Sequence, residues 1–176
     1  MCRDFYLQEN TTVGINLIGL ANGQAIVIPI QLCGKTNQSN ANDSGVGAIG
    51  KALVKELPYI KAIVSRLFPE ILFLLKNVHF QLSADLDNQY DCEIIDTVSA
   101  QLPLALLICM LLRKALGLPV IENCAATGTL DPLGFITHVQ NLFLKKLAAK
   151  NSLLIEPSSF YHIFHALKAI HCLVIR

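Results

Sequence analysis

Ser99-Ala-Gln-Leu-Pro-Leu-Ala-Leu-Leu-Ile-Cys-Met-Leu-Leu-Arg-Lys-Ala-Leu116, closed by Gly117, is the most apolar stretch of this 176-residue chain. Leu102–Leu112 contains no charged or strongly polar side chain. A helix that is apolar on every side belongs inside a core, so this segment predicts the central buried helix. Thr97 or Ser99 is placed to cap its start, and Gly117 to end it. Eleven residues including Pro103 fall well short of the roughly 20 that cross a bilayer, so an integral membrane segment is not expected.

On the N-terminal side, Val13–Leu20 and Gln24–Leu32 are β-rich runs separated by Ala21-Asn22-Gly23, where Asn-Gly favours the positive φ angles of a tight hairpin. Lys35–Ser44 is a polar surface loop. From Val46 to Lys76 the apolar spacing is helical, with Pro58 and Pro69 expected to break or kink it. Val78–Leu82 alternates like a strand, and Ser83–Asp91 is an acidic loop. On the C-terminal side, Leu118–Val120, Cys124–Thr127 and Gly134–Thr137 read as short strands, the last two joined through Asp131-Pro132. Val139–Lys150 reads as an amphipathic helix, Ser152–Glu156 as a buried strand, Pro157–Lys168 as a helix and Cys172–Ile175 as a closing strand. An opening hairpin followed by alternating helices and short strands predicts an α/β (α+β) fold, one domain over residues 1–176.

The residue set AVILMFWYC makes up 53% of the chain and Asp, Glu, Lys and Arg only 15%. That excludes a disordered chain, and with a mean hydropathy of +0.49 it implies that a partner or neighbouring subunit covers part of the surface. Fourteen basic against 13 acidic residues give +1, which supplies no global field for nucleic acid. The six cysteines fall singly and no basic-plus-apolar leader opens the chain, so a reduced, cytoplasmic location is expected.

Four patterns could carry chemistry. Gly45-Val-Gly-Ala-Ile-Gly50-Lys51 fits a phosphate-cradling loop, yet it lacks a buried strand leading in and a Ser or Thr after the lysine. The plainer reading is a glycine-rich helix start that lets backbones approach. Asp85–Glu93 places acids at alternating positions but puts Tyr90 where a calcium loop needs glycine. His162 and His165 could share a helix face, but Phe160 and Phe164 are interleaved with them, which favours an aromatic packing or partner-contact helix over a metal site, and no cofactor is expected. Ser99, opening a buried helix, is the best nucleophile, with Lys145 or Lys146 as its base; a capping serine is the plainer reading.

Leu116-Gly-Leu-Pro-Val120, Ala126-Thr-Gly-Thr-Leu130 and Leu147-Ala-Ala149 followed by Leu153-Leu-Ile-Glu-Pro157 resemble, in order, three stretches of the proteolytic domain of Lon proteases. These are its long helix with a Gly-x-Pro-Val exit, its Thr-Gly-Glu strand, and its Leu-Ala-Ala helix with the strand ending in Ile-Pro. The likeness spans about Val13–Pro157. That family's serine lies in Pro-Ser-Ala-Gly and its lysine in Gly-Gly-Leu-Lys. Counted from the shared landmarks, those places fall on Leu102 and Phe143, which can neither attack a carbonyl nor move a proton. Using Ser99 with Lys145 instead displaces the groups by about 4.5 Å and 3 Å along helices. Ser99-Ala-Gln-Leu is closer to the Ser-Ala-Asp-Leu start of the Lon-like domain of the bacterial repair ATPase RadA/Sms, which lacks the dyad and serves assembly.

The resemblance therefore implies a catalytically dead Lon-like domain, not an enzyme. It would serve as a protein-binding adaptor or assembly subunit of a bacterial multiprotein complex, of which a type IV secretion coupling complex is one example. Its partners would be other protein subunits, in a hetero-complex or homo-oligomer. The candidate contacts are Phe160, Tyr161 and Phe164, together with the Phe68–Leu75 face. The rivals are a Ser99-dependent peptidase using Lys145 or Lys146, and a nucleotide or phosphate binder using Gly45–Lys51.

Overall fold

The opening hairpin forms as the Asn22-Gly23 signal requires. In the computed structural model, which describes residues 11–21, 23–35, 42–69, 72–84, 97–121, 123–150 and 152–166, β1 (Thr11–Ala21) and β2 (Gln24–Lys35) pair antiparallel from Thr11↔Gly34 to Ala21↔Gln24. Gly23 takes φ +75° at the turn, a conformation nearly free of cost only for glycine. Alternation then sorts the strands: Val13, Ile15 and Leu17 face the core beside Leu32, Ile30 and Ile28, and the intervening residues face the other way.

The chain continues through β3 (Ser44–Val46), α1 (Gly47–Leu53), a 3-10 turn (Val54–Glu56), α2 (Leu57–Leu67), α3 (Leu72–Asn77) and β4 (His79–Ala84). The helical stretch is broken at Val54–Glu56 just before Pro58, which then sits in the first turn of α2, where its missing N–H costs nothing. Pro69 lies just past the end, after Phe68 leaves helical geometry. A second 3-10 turn (Thr97–Ala100) leads into α4 (Gln101–Ala115). Then come β5 (Cys124–Ala126), the small hairpin β6 (Thr129–Leu130) and β7 (Ile136–Thr137), α5 (Leu142–Ala148) and β8 (Leu153–Ile155).

The main sheet has the order β3-β4-β2-β1-β5-β8. It is mixed: β2 is antiparallel to both neighbours, while β3 with β4, β1 with β5 and β5 with β8 run parallel. The fold is therefore α/β. One face of the sheet carries α4 and α2 in a shared apolar cluster. Ile18, Ala125 and Ala149 form a smaller cluster with Ala148 and Leu154, which seats α5 against the opposite face. By length and composition α4 with its leading turn, Thr97–Ala115, would suffice to cross a membrane, but 78% of its apolar 18-residue window is buried inside the protein.

Several expectations need correcting. Leu118–Val120 is not a strand; the chain there returns from α4 after Gly117 (φ +69°), with Arg113 donating to the Pro119 carbonyl. The helix expected over Val139–Lys150 is only Leu142–Ala148, because Asn141 at φ +53° turns the chain sharply before it. Pro157–Ser159 is a turn and helical geometry resumes only at Ile163–Ala166. The Cys172–Ile175 strand, the loop beyond Ala84 to Asp91 and most of Lys35–Ser44 lie outside the described residues.

Of the glycines of Gly45–Lys51, Gly45 and Gly50 are explained by packing and Gly47 by its φ of +73° at the start of α1. A Cβ at Gly45 would overlap the carbonyl of Gly50, and one at Gly50 would lie 2.7 Å from the Leu82 carbonyl oxygen. These residues press α1 onto β3 and β4. Because the obstructing atoms are backbone, Gly50→Ala is expected to cost at least about 1–3 kcal/mol in a urea unfolding experiment. Lys51→Ala, at an exposed position, is expected to change stability by no more than about 0.5 kcal/mol.

Candidate functional site

The parallel strands β5 and β8 end together, at Ala126 and Ile155, beside Leu17 of β1, and the chain leaving β5 is where the polar interior concentrates. Thr127 donates its N–H to the Ile155 carbonyl at 3.1 Å, extending the β5–β8 ladder. Gly128 then makes two bonds to the start of α4: its N–H donates to the Ser99 carbonyl at 2.9 Å, and its carbonyl accepts the Leu102 N–H at 3.0 Å. The second bond satisfies one of the backbone donors that every helix start leaves open. No larger residue fits at this point, since a Cβ on Gly128 would sit 2.9 Å from Leu102 Cδ2 and 3.0 Å from Ile136 Cγ2.

Lys145 of α5 reaches the same strand end and donates from Nζ to Thr127 Oγ1 at 3.1 Å. Ser99, Thr127 and Lys145 are 2%, 0% and 1% exposed. The Ser99 backbone, the Thr127 hydroxyl and the Lys145 amine thus meet at Thr127-Gly128, and a hydroxyl and an amine are the groups from which a nucleophile and its base can be made. They lie inside the protein, however, and a substrate carbonyl reaches them only if the surrounding elements part. Leu102 and Phe143 do not share a site: Leu102 is buried against Gly128, whereas Phe143 is 72% exposed. Two residues along α5, Lys145 is the side chain turned inward.

The start of α4 is held by a second polar group. Glu56 accepts Thr97 Oγ1 at 3.0 Å on one carboxylate oxygen and Gln101 Nε2 at 3.0 Å on the other, while Gln101 Oε1 accepts the Leu130 N–H at 3.0 Å. Thr97 is therefore occupied by Glu56, and the N-cap position falls on Ala100. The capping role expected of Thr97 or Ser99 goes to the Gly128 carbonyl. A sequence signal for this existed in the spacing Thr97-x-x-x-Gln101, but its partner lies 41 residues earlier than Thr97.

Lys146 faces outward and closes a clasp with Glu156 after β8. Its Nζ is 3.0 Å from Glu156 Oε1 and 2.7 Å from Ser158 Oγ, and the Ser158 and Ser159 hydroxyls donate to Oε1 at 2.5 and 2.8 Å. The Ser158 N–H donates to Oε2 at 2.7 Å. Burial pushes this carboxyl up, but the bonds from Ser158, Ser159 and Lys146 outweigh it and hold it below its ordinary value of 4.5. Lys146 Nζ is committed to Glu156 and Ser158 at the surface, so the lysine turned toward Thr127 is Lys145.

The aromatic residues near the C-terminus divide. Phe160 is half-buried against the core. Tyr161 is 62% exposed, and Phe164 is 43% exposed with its ring edge-on to Phe68 at 4.9 Å. His162 is a structural pin: Nε2 bonds the Leu133 carbonyl at 3.0 Å, Nδ1 accepts the Phe164 N–H at 3.1 Å, and Phe135 meets its face edge-on. With Leu133 and Phe135 also exposed, an apolar surface surrounds the β6–β7 turn. Among the described residues no group of three His, Cys, Asp or Glu gathers for a metal. A cleft of about 390 Å³ runs along the N-terminal half of β1 near Asn16, Gln31 and Lys114, away from Ser99 and Lys145.

No protein-family model matches this chain, and no curated protein does.

Two outcomes are expected from the buried polar groups. Lys145→Met keeps the aliphatic volume and should cost less than about 1.5 kcal/mol, whereas Lys145→Ala opens a cavity and should cost about 2–5 kcal/mol in the same denaturation assay. The Glu156 carboxyl sits lower folded than unfolded, so its stabilisation is present above about pH 4.5 and is lost as pH falls through the folded value. Glu156→Gln should therefore show a shallower loss of melting temperature on acidification than the wild type.

Proposed function

We propose that this chain is a non-catalytic, Lon-like protein-binding subunit that works by surface contact within a cytoplasmic bacterial multiprotein complex, such as a type IV secretion coupling complex. The observation that carries the reading is a contrast in access. The only described hydroxyl–amine grouping of catalytic type near the predicted helix start is enclosed at 2%, 0% and 1% exposure, while Leu133, Phe135, Tyr161 and Phe164 face solvent. Exposed aromatics clustered on a turn are the material of protein interfaces. The order of hairpin, apolar helix, Thr-Gly strand end, short helix and closing strand supports the Lon-like part of the proposal.

A second reading has its own support. Lys145 Nζ lies 3.1 Å from Thr127 Oγ1, and Ser99 is bonded through its carbonyl to the adjacent Gly128. Were the site to open, the Ser99 hydroxyl would attack a peptide carbonyl and pass its proton to the Lys145 amine, which would return it to the leaving amine; water would then release the acyl-enzyme. The phosphate-binding reading has no comparable support, because protein backbone accounts for the glycines of Gly45–Lys51.

The test is a pair of measurements on the whole chain. A fluorophosphonate probe is expected to leave Ser99 unlabelled, and a photo-crosslinker in place of Tyr161 is expected to join a discrete partner protein in cells, with the yield reduced about tenfold by Phe164→Asp. Labelling of Ser99 that Lys145→Met abolishes would establish the hydrolase and overturn the proposal.

A further inference from the structure

The outward side of α5 is apolar where a surface helix should be polar. Phe143, Leu144 and Leu147 are exposed, with Lys146 at the i+3 position from Phe143 and Lys150 just past the helix end, both also exposed. Val27, cross-strand partner of the Ile18 on which the helix rests, is exposed as well. The exposed charges of α5 and its end, Lys146 and Lys150, are both positive, Lys145 being turned inward. From Pro132 to Ile155 the chain carries Lys145, Lys146 and Lys150 and no carboxylate, and the nearest acid beyond, Glu156, is buried and engaged by Lys146.

We infer that the outward side of α5 is a second docking surface, and that its occupant is an acidic amphipathic segment of a partner protein. Apolar side chains of that segment cover Phe143, Leu144 and Leu147, and its carboxylates meet Lys150 and the exposed flank of Lys146. The inference rests on the protein-binding reading, but it uses a different surface from the Tyr161–Phe164 patch. Apolar area supplies the affinity, and the lysines select partners by sign and speed their approach.

The test places p-benzoylphenylalanine at Phe143 of the full chain, irradiates cells and identifies the joined peptide by mass spectrometry. The expected adduct is a partner segment containing both apolar and Asp or Glu residues. Its yield should fall about tenfold in Lys150→Glu, a folded variant by circular dichroism, and severalfold as salt is raised to about 1 M in a purified complex. Adducts only to a second copy, co-sedimentation with phosphatidylserine vesicles without a protein adduct, a partner segment lacking acids, or no adduct would each overturn it. The same crosslinker at Tyr161 separates the two proposals, since adducts there but not at Phe143 sink this inference and leave the protein-binding reading standing.

Discussion

Two hydrogen bonds to Gly128 hold the start of α4 to the end of β5, and the interior is organised around that junction. A helix buried along Gln101–Leu112 has no water to satisfy its first backbone donors, so protein must do so. The Gly128 carbonyl meets one of them, and the missing side chain at Gly128 is what lets Leu102 and Ile136 close over it. Glu56 then ties the same helix start to the α1–α2 side through Thr97 and Gln101. The junction therefore sets where β5, β6 and α4 stand relative to one another, and it brings Ser99 beside Thr127.

Where local chemistry decides, the sequence was readable. Asn22-Gly23 calls for positive φ with no help from the rest of the chain, and the hairpin register follows from that turn. The apolar run of α4 fits nowhere but a core, and Gly117 ends it as anticipated. Leu118–Val120 was misread because β-prone residues form a strand only when a neighbour offers an edge, and here Arg113 takes the Pro119 carbonyl. The prolines of the Val46–Lys76 stretch were readable, because the helix breaks at Val54–Glu56 just before Pro58 and leaves helical geometry at Phe68 just before Pro69.

The site was half legible. Ser99 stood out because it precedes the apolar helix, and Lys145 and Lys146 because they were the cations of the next helix. Which lysine turns inward depends on how α5 is rotated on the sheet, and Ala148, Ala149 and Ile18 set that rotation. Periodicity pointed the other way, since Phe143, Leu144 and Leu147 would by hydrophobicity be the buried side. Thr127 stood out only within Ala126-Thr-Gly-Thr-Leu130 and not as a site residue, because a threonine at a strand end is ordinary until a lysine arrives at its hydroxyl.

That inversion of α5 ties the enclosed site to the exposed surface. The helix has small alanines on the sheet and one long polar side chain reaching past them to Thr127, so it lies close to the strands and has little apolar bulk to bury beneath it. Its large apolar residues are left on the solvent side. A stretch with lysine inside and phenylalanine outside is locally at odds with folding alone, and such conflicts in natural chains mark places where another requirement has intervened. Lys145, enclosed by its neighbours, is already accounted for within the chain. Phe143 is 72% exposed and no described residue covers it, and a ring held in water adds nothing to folding. The same helix therefore seals the interior with Lys145 and leaves Phe143, Leu144 and Leu147 on the outer side, and one rotation on the sheet produces both results.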